Sequence, residues 1–505
     1  DESDWSGNIS SDTRFTDPDK EDFHLFLDSP CIDAGSIHVS VPNKDLDGNP
    51  RIVKRIDIGS YEYQNTSPGI AINPKSGIIE TNVTVVGRYL EPNKEAIIDF
   101  GTHQTITRAT TDSNGFLLTT FIVDSQPEGT KTITLTTYSG QLTAIFLLKE
   151  NILYVDSRNQ GTETGTEEYP YKTIQKAVES VKDYCTILVK DGSGPYDVNQ
   201  DISLNEKTML EIKPNVEIRF GSGRLLTITR GILAEYAIFT GATKTIGYWK
   251  GIKFLNSKKG TITYCTIEYA QQALYLENSE NITISYNTIS HNKGLGGANG
   301  NWSGWSPIYN GGAGGVGCGI ALSSSKNNRI LKNAISDNTG GNGGKGYECG
   351  SDGTGGFGCG ICLSSSISNI VFDNLIRDSI GGAGSRGGIG AGICLFSSFE
   401  NTIGLNTIEN SQGGGGEYGI YISGSLNNEI EVTNRYNGYN IHYYYKKNNV
   451  EIRGEAIKAP ITNLGVVVLI ECSSFTITGC KIEGMRGENG ETGQYDNRDP
   501  IKGSN

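Results

Sequence analysis

The chain has 505 residues, a formal charge of -13 and a pI near 5.0. That length exceeds a single core, and the acidic balance argues against nucleic acid and anionic membranes as partners. Gly is abundant (67), Met (2) and Pro (14) are scarce, and no apolar run reaches the ~18 residues of a membrane span, so a β-rich chain of several domains without membrane insertion is expected.

The opening carries Trp5-Ser-Gly-Asn, Asp17-Pro-Asp-Lys-Glu-Asp-Phe23-His-Leu25, Ser29-Pro-Cys-Ile32-Asp-Ala-Gly35 and Asp57-Ile58-Gly-Ser-Tyr61-Glu-Tyr63. This run resembles the segment that finishes a right-handed parallel β-helix. The resemblance makes residues 1–65 the C-terminal cap of a preceding or neighbouring helix. Asp45-Leu-Asp47-Gly-Asn49 is an oxygen-rich turn, which makes Asp45, Asp47 and Asn49 candidate Ca²⁺ ligands. The EF-hand pattern is incomplete there, and no cofactor is required by the sequence.

Residues 66–150 hold short alternating runs separated by Gly, Asn and Pro turns, among them Asn82-Val-Thr-Val-Val, Ala96-Ile-Ile-Asp-Phe and Thr132-Ile-Thr-Leu-Thr. This is the pattern of a β-sandwich. It resembles the immunoglobulin-like IPT/TIG modules of extracellular proteins, which are usually spacers.

Residues 151–505 read as a right-handed parallel β-helix. Lys172-Thr-Ile-Gln-Lys-Ala-Val-Glu-Ser-Val181 has apolar residues at helical spacing and precedes the strand Thr186-Ile-Leu-Val189. The pair resembles the opening of pectate-lyase-like proteins, where a short helix covers the first coil and its unpaired edge. Copies of one motif then begin at Gly319, Gly360, Gly392 and Gly419, at spacings of 41, 32 and 27 residues. Asn328, Asn369, Asn401 and Asn428 fall at one place in the copies, and Asn287, Asn333, Asn374 and Asn406 at another. Amides stacked at the ~4.8 Å interstrand spacing bond along the stack, so these read as structural ladders. The same register sets Cys318 on Cys359 and Cys362 on Cys394. Adjacent parallel positions fit disulfide geometry poorly, so buried thiols are expected.

The excess residues of each copy form Gly-rich insertions on one edge. They contain Trp302, Trp305, Tyr309, Tyr347 and Asp352. One reading is a glycine-dense layer serving shape or assembly, since Gly permits close backbone approach. A second takes the aromatics as platforms for sugar rings, with Asp352 bonding hydroxyls, and a third takes the loops as the walls of an active site. The lyase resemblance implies a basic residue that abstracts a proton beside a Ca²⁺-bound uronate. Arg377 and Arg386 are the candidate bases, and Asp337, Asp373 and Asp378 the candidate ligands. Their register places no base beside a cluster of acids, and His291 reads as a turn residue. No catalytic residue is assigned. Sequons begin at Asn8, Asn82, Asn281 and Asn301.

The resulting expectation is all-β: a right-handed parallel β-helix plus an Ig-like sandwich, secreted or displayed at the cell surface. Its function is architectural, as a filament, sheath, adhesin or surface-layer repeat. Units join head to tail, or as adjacent repeats of a longer chain, by cap complementation through Trp5, Phe23, Leu25, Ile32, Ile58, Tyr61 and Tyr495. The alternative is a protein that binds or cleaves extracellular polysaccharide; an enzyme here would be a polysaccharide lyase or glycoside hydrolase.

Overall fold

The computed structural model describes residues 12–37, 41–299, 310–346, 351–425, 427–458 and 467–483. The chain divides into two compact units, Asp1–Asn151 with Lys182–Tyr184, and Ile152–Val181 with Cys185–Asn505.

The first unit contains a β-sandwich. A five-stranded sheet runs in the order Ser76–Gly77, Gly140–Leu148, Gly129–Thr137, Glu95–Phe100, His103–Thr110, and a three-stranded sheet in the order Gly69–Asn73, Asn82–Arg88, Leu117–Ile122. Alternation turns Val83, Val85, Ile98, Phe100, Ile133, Leu135 and Phe146 inward, where they form one buried cluster. Residues 12–63 belong to the same unit. They contain one antiparallel pair, Phe15–Asp17 with Asp22–Leu25, and a small cluster of Leu25, Cys31 and Ile32. Arg88 of the sandwich donates to the Leu27 and Ser29 carbonyls at 2.8 Å. A buried polar knot replaces a large core here. Arg51 Nη1 bonds Glu62 at 3.1 Å, and Asp57 accepts from the Asp33 and Tyr63 amides at 2.6 Å each.

The second unit is a right-handed parallel β-helix. Each coil gives one short strand to each of three sheets. Sheet I has ten strands, from Asn151–Val155 to Glu429–Ile430. Sheet II also has ten, from Tyr196–Val198 to Tyr439–Asn440, and sheet III has eight, from Ile202–Leu204 to Glu417–Ser423. Two-stranded pairs, such as Asn448–Arg453 with Ser473–Thr478, follow. Inward positions stack like on like: Ile289, Ile335, Ile376 and Ile408 form one column of sheet II and are essentially inaccessible. The helix Ile174–Glu179, N-capped by the Thr173 hydroxyl, buries Ile174 and Ala177 against the first coils.

The corners between sheets I and II are made by single left-handed residues, Tyr264, Tyr286, Lys332, Asp373 and Leu405, none of them β-branched. The buried amide that follows each of the last four satisfies the turn's polar groups. Asn287, Asn333, Asn374, Asn406 and Asn434 are linked Nδ2 to Oδ1 at 2.9–3.0 Å. The Oδ1 of Asn333, Asn374, Asn406 and Asn434 also accepts the backbone N–H of the preceding Asn, and that of Asn287 the Cys265 amide. Asn328, Asn369, Asn401 and Asn428 repeat the arrangement between sheets III and I. Both expected ladders are therefore present. A third column, Ser257, Ser279, Ser325, Ser366, Ser398 and Ser425, was not anticipated.

Candidate functional site

The Gly-rich insertions leave the helix between sheets II and III and return into the strands of sheet III. Outgoing segments stack on one another: Gly294 and Gly297 donate to Thr339 and Asn342, and Gly340 and Gly343 to Ile380 and Ala383. Returning segments do the same, with Gly311, Gly314 and Gly317 donating to Ser351, Thr354 and Phe357. The next glycine of each Gly-Gly doublet bonds across, from one layer to the other: Gly312 to Ala298, Gly315 to Leu295, Gly341 to Gly315, Gly356 to Gly341. The bonds recur at every third residue, the period of a polyproline II helix. The result is a two-layer polyglycine slab. A Cβ on Gly341 would lie 1.8 Å from the Leu295 oxygen, and one on Gly353 1.9 Å from the Gly312 oxygen. Only glycine fits at these positions.

Beneath the slab lies a second, smaller apolar layer on the outer wall of sheet III. It contains Cys318, Ala321, Cys359, Cys362, Ala391 and Cys394, flanked by Phe357, Phe396 and Tyr421. In a regular strand, residues three apart point to opposite faces. Here Cys318 and Ala321 share the outer face, while Ile320 and Leu322 enter the helix core. The alternation breaks at Gly319, Gly360 and Gly392, whose missing Cβ atoms would strike Ile335, Ile376 and Ile408 at 2.2–2.7 Å. The expected pairings hold: Cys318 is register partner of Cys359, and Cys362 of Cys394, all as free thiols.

Where the slab begins, its edge overhangs the bare outer wall of earlier coils. A cleft of about 270 Å³ opens there, lined by Leu225, Lys250, Lys253, Gln271, Gln272, Tyr275, Leu295 and Val316 among others. Tyr275 and Lys253 are register neighbours on adjacent strands, with the Lys253 ammonium 5.5 Å from the Tyr275 ring centre. Lys253 is paired with Glu277. The exposed Lys250 has no ion-pair partner among the described residues. Tyr275 occupies the column that continues through Ala321, Cys362, Cys394 and Tyr421, so in the sequence it reads as one more repeat position and not as part of a site.

The expected site residues fall differently. Trp302, Trp305, Tyr309 and Tyr347 lie outside the described residues, as do Trp5 and Tyr495. Asp352 is engaged by its own loop: Lys345 Nζ and the Gly346 amide bond its two oxygens at 2.9 Å each, and the Lys345 bond holds its carboxyl below the usual range. Asp45 accepts the Asp47, Asn49 and Glu62 amides, and Asp47 bonds His24 at 2.6 Å. Their oxygens thus hold the turn together, and no group of three or more His, Cys, Asp or Glu suited to a metal occurs among the described residues. Leu25 and Ile32 are buried in their own segment, Ile58 and Tyr61 are half-buried, and Phe23 is exposed. Arg377 bonds Glu409 at 2.7 Å, Lys332 sits 4.0 Å from Asp373, and Asp337 accepts from Ser336. His291 occupies a left-handed corner beside Tyr269. These groups occupy separate corners and walls.

The family model described as right handed beta helix region matches residues 196–416. No curated protein matches the chain by sequence. Among solved structures, a periplasmic alginate epimerase aligns at 10% identity and TM-score 0.29, over 68% of this chain and 85% of that one. A pectate lyase aligns at 11% and 0.28, over 67% and 79%. A rhamnogalacturonan lyase aligns at 14% and 0.28, over 66% and 87%. No helix among the described residues is long and apolar enough to cross a membrane.

Proposed function

We propose that this is an extracellular polysaccharide-binding protein whose sugar site is the cleft under the leading edge of the glycine slab. The observation that carries the reading is the composition of that cleft. Tyr275 offers an aromatic surface, Gln271 and Gln272 offer amide donors and acceptors, and Lys250 an unpaired cation, all on or beside rigid strands. Sugar-binding sites combine an apolar face with a few placed polar groups, and this cleft has that make-up on the scale of one or two rings. The net charge of -13 repels long polyanions, which favours neutral or weakly charged chains.

Affinity electrophoresis in gels containing neutral glucans, alginate or polygalacturonate, with and without Ca²⁺, tests this. Retardation by at least one polymer is expected, weakened about tenfold, or about 1.4 kcal/mol, in Tyr275→Ala. Unsaturated-product absorbance in the same mixtures separates cleavage from binding. Unchanged migration in every gel sinks the proposal.

Head-to-tail assembly is a second reading. It rests on Phe26, Leu46 and Ile52, large apolar side chains left exposed on the segment that resembles a helix cap. Sedimentation velocity across a concentration series is expected to show growing species, which Leu46→Lys with Ile52→Lys abolishes. A single monomeric boundary at every concentration rejects it.

A further inference from the structure

The first unit holds a second cleft, of about 610 Å³, between residues 30–55 and the loops that follow the strand Asn82–Arg88 and precede Leu117–Ile122. Three cations line it, Lys54, Arg55 and Arg88, and none of them forms an ion pair among the described residues. Arg88 is only 9% exposed. Its Nε and Nη2 donate to the Leu27 and Ser29 carbonyls, and its guanidinium lies 4.8 Å from the Phe116 ring centre. Nη1 has no hydrogen-bond partner among the described residues. Burial holds this guanidinium below its ordinary range. A buried cation without a carboxylate bonded to it is costly, and an anion in the cleft relieves that cost. The Lys54 ammonium sits 4.2 Å from the centre of the Tyr89 ring, on which Tyr63 stacks. Two acids also line the cleft, but backbone amides occupy them. Asp33 accepts from Arg55 at 3.0 Å, and Asp112 from Asn114 and Phe116 at 2.8 Å each. Three cations against two acids leave the lining one net positive charge, in a chain whose net charge is -13.

We propose that this cleft is a binding site for a sugar acid, held by its carboxylate on Lys54, Arg55 and Arg88. Arg55 and Arg88 offer guanidinium forks that match a carboxylate, and Lys54 adds a point charge. The rest of the lining suits a hydroxylated ring better than a bare ion. Ile32, Pro92 and Phe116 supply apolar surface. The Ser113 and Asn114 side chains make no hydrogen bond among the described residues, so they are open to ring hydroxyls. Burial pushes the Tyr89 phenol up to about 12, so it remains a neutral donor at neutral pH. The volume exceeds what an inorganic anion needs and takes about two sugar rings. One net positive charge matches a monoanion, and the acidic chain around it repels anything more highly charged. The cleft lies in the other compact unit from the one beside Tyr275 and does not depend on that site.

The test is isothermal titration calorimetry on the full chain at low ionic strength. The probe is glucuronosyl-glucose, a two-ring monoanion, and cellobiose is its neutral counterpart. Saturable binding of the acid is expected, with a Kd of about 1 mM or tighter. Added salt is expected to weaken it, because the charges at Lys54 and Arg55 are exposed. Lys54→Gln with Arg55→Gln is expected to weaken the acid about tenfold or more and to leave any cellobiose isotherm unchanged. Both side chains are exposed and outside any ion pair, so the variant retains its fold. The wild-type titrations also stand without it. No binding of the acid, an affinity that the double substitution leaves unaltered, or an equal loss for cellobiose overturns the proposal. Displacement of the acid by inorganic phosphate at equal concentration also overturns it, since the cleft is then a hole for any anion.

Discussion

Asp57 sits in the polar knot of residues 12–63, only 3% exposed. Burial pushes its carboxyl up to about 6, against the two amide bonds that pull it down; Glu62 and Asp33 nearby push the same way. A carboxyl raised in the folded state binds its proton more tightly there than in the unfolded chain. This group's stabilisation is therefore complete below the unfolded value near 3.8 and is lost as pH rises through about 6. The loss amounts to about 3 kcal/mol. Thermal melts of residues 1–151 across pH 4 to 7 are expected to show a midpoint that falls over that window and a flatter profile in Asp57→Asn. A midpoint that rises from pH 4 to 7 in the wild type and is unaltered in slope by the substitution contradicts this origin. At this scale the sequence was readable wherever one residue type repeats. The Asn ladders recur at matched positions with identical chemistry, so their place was visible before any coordinates. Asp57 was visible only as part of a resemblance, because its environment is made by residues 24 and 5 positions away, Asp33 and Glu62.

Among the elements, the slab separates glycines that are structurally required from those that are not. A Cβ on Gly341 would lie 1.8 Å from the Leu295 oxygen, whereas one on Gly296 would meet nothing nearer than the Asn342 oxygen at 3.6 Å. Gly341→Ala must push two layers apart and break the bonds to Gly315 and from Gly356, at about 3 kcal/mol or more. Gly296→Ala is expected to fall within about 0.5 kcal/mol of wild type. Denaturant melts of the two variants check the contrast, and equal midpoints would remove the polyglycine packing as its cause. Of the readings of these insertions, the packing of a glycine-dense layer is present, while its order is not legible in the sequence. Insertion lengths differ from coil to coil, and that unevenness hid the regular Gly-Gly doublets within them. The fold of sheet III was likewise legible as alternating Ile and Leu, yet the glycine break before each Ile was not. Strict alternation would have sent Cys318 into the helix core instead of out beneath the slab.

For the whole molecule, repetition again decided what could be read. The β-helix declares itself through copies of one motif, and the sandwich through short alternating runs with turns between them. The candidate cleft does neither. It exists only where a slab that starts at Gly294 meets a wall of earlier coils at Leu225, Lys253 and Tyr275, so it depends on a boundary between repeats and not on any repeat. The two layered parts of the helix unit are also held by different forces. The interior columns of Ile and Leu depend on the exclusion of water, a driving force that weakens on cooling. The slab is a lattice of amide–carbonyl bonds with almost no side chains to bury, so it adds little to the heat-capacity change of unfolding. Its internal lattice is therefore nearly indifferent to cold, and near freezing it carries a larger share of the cohesion of these coils than when warm.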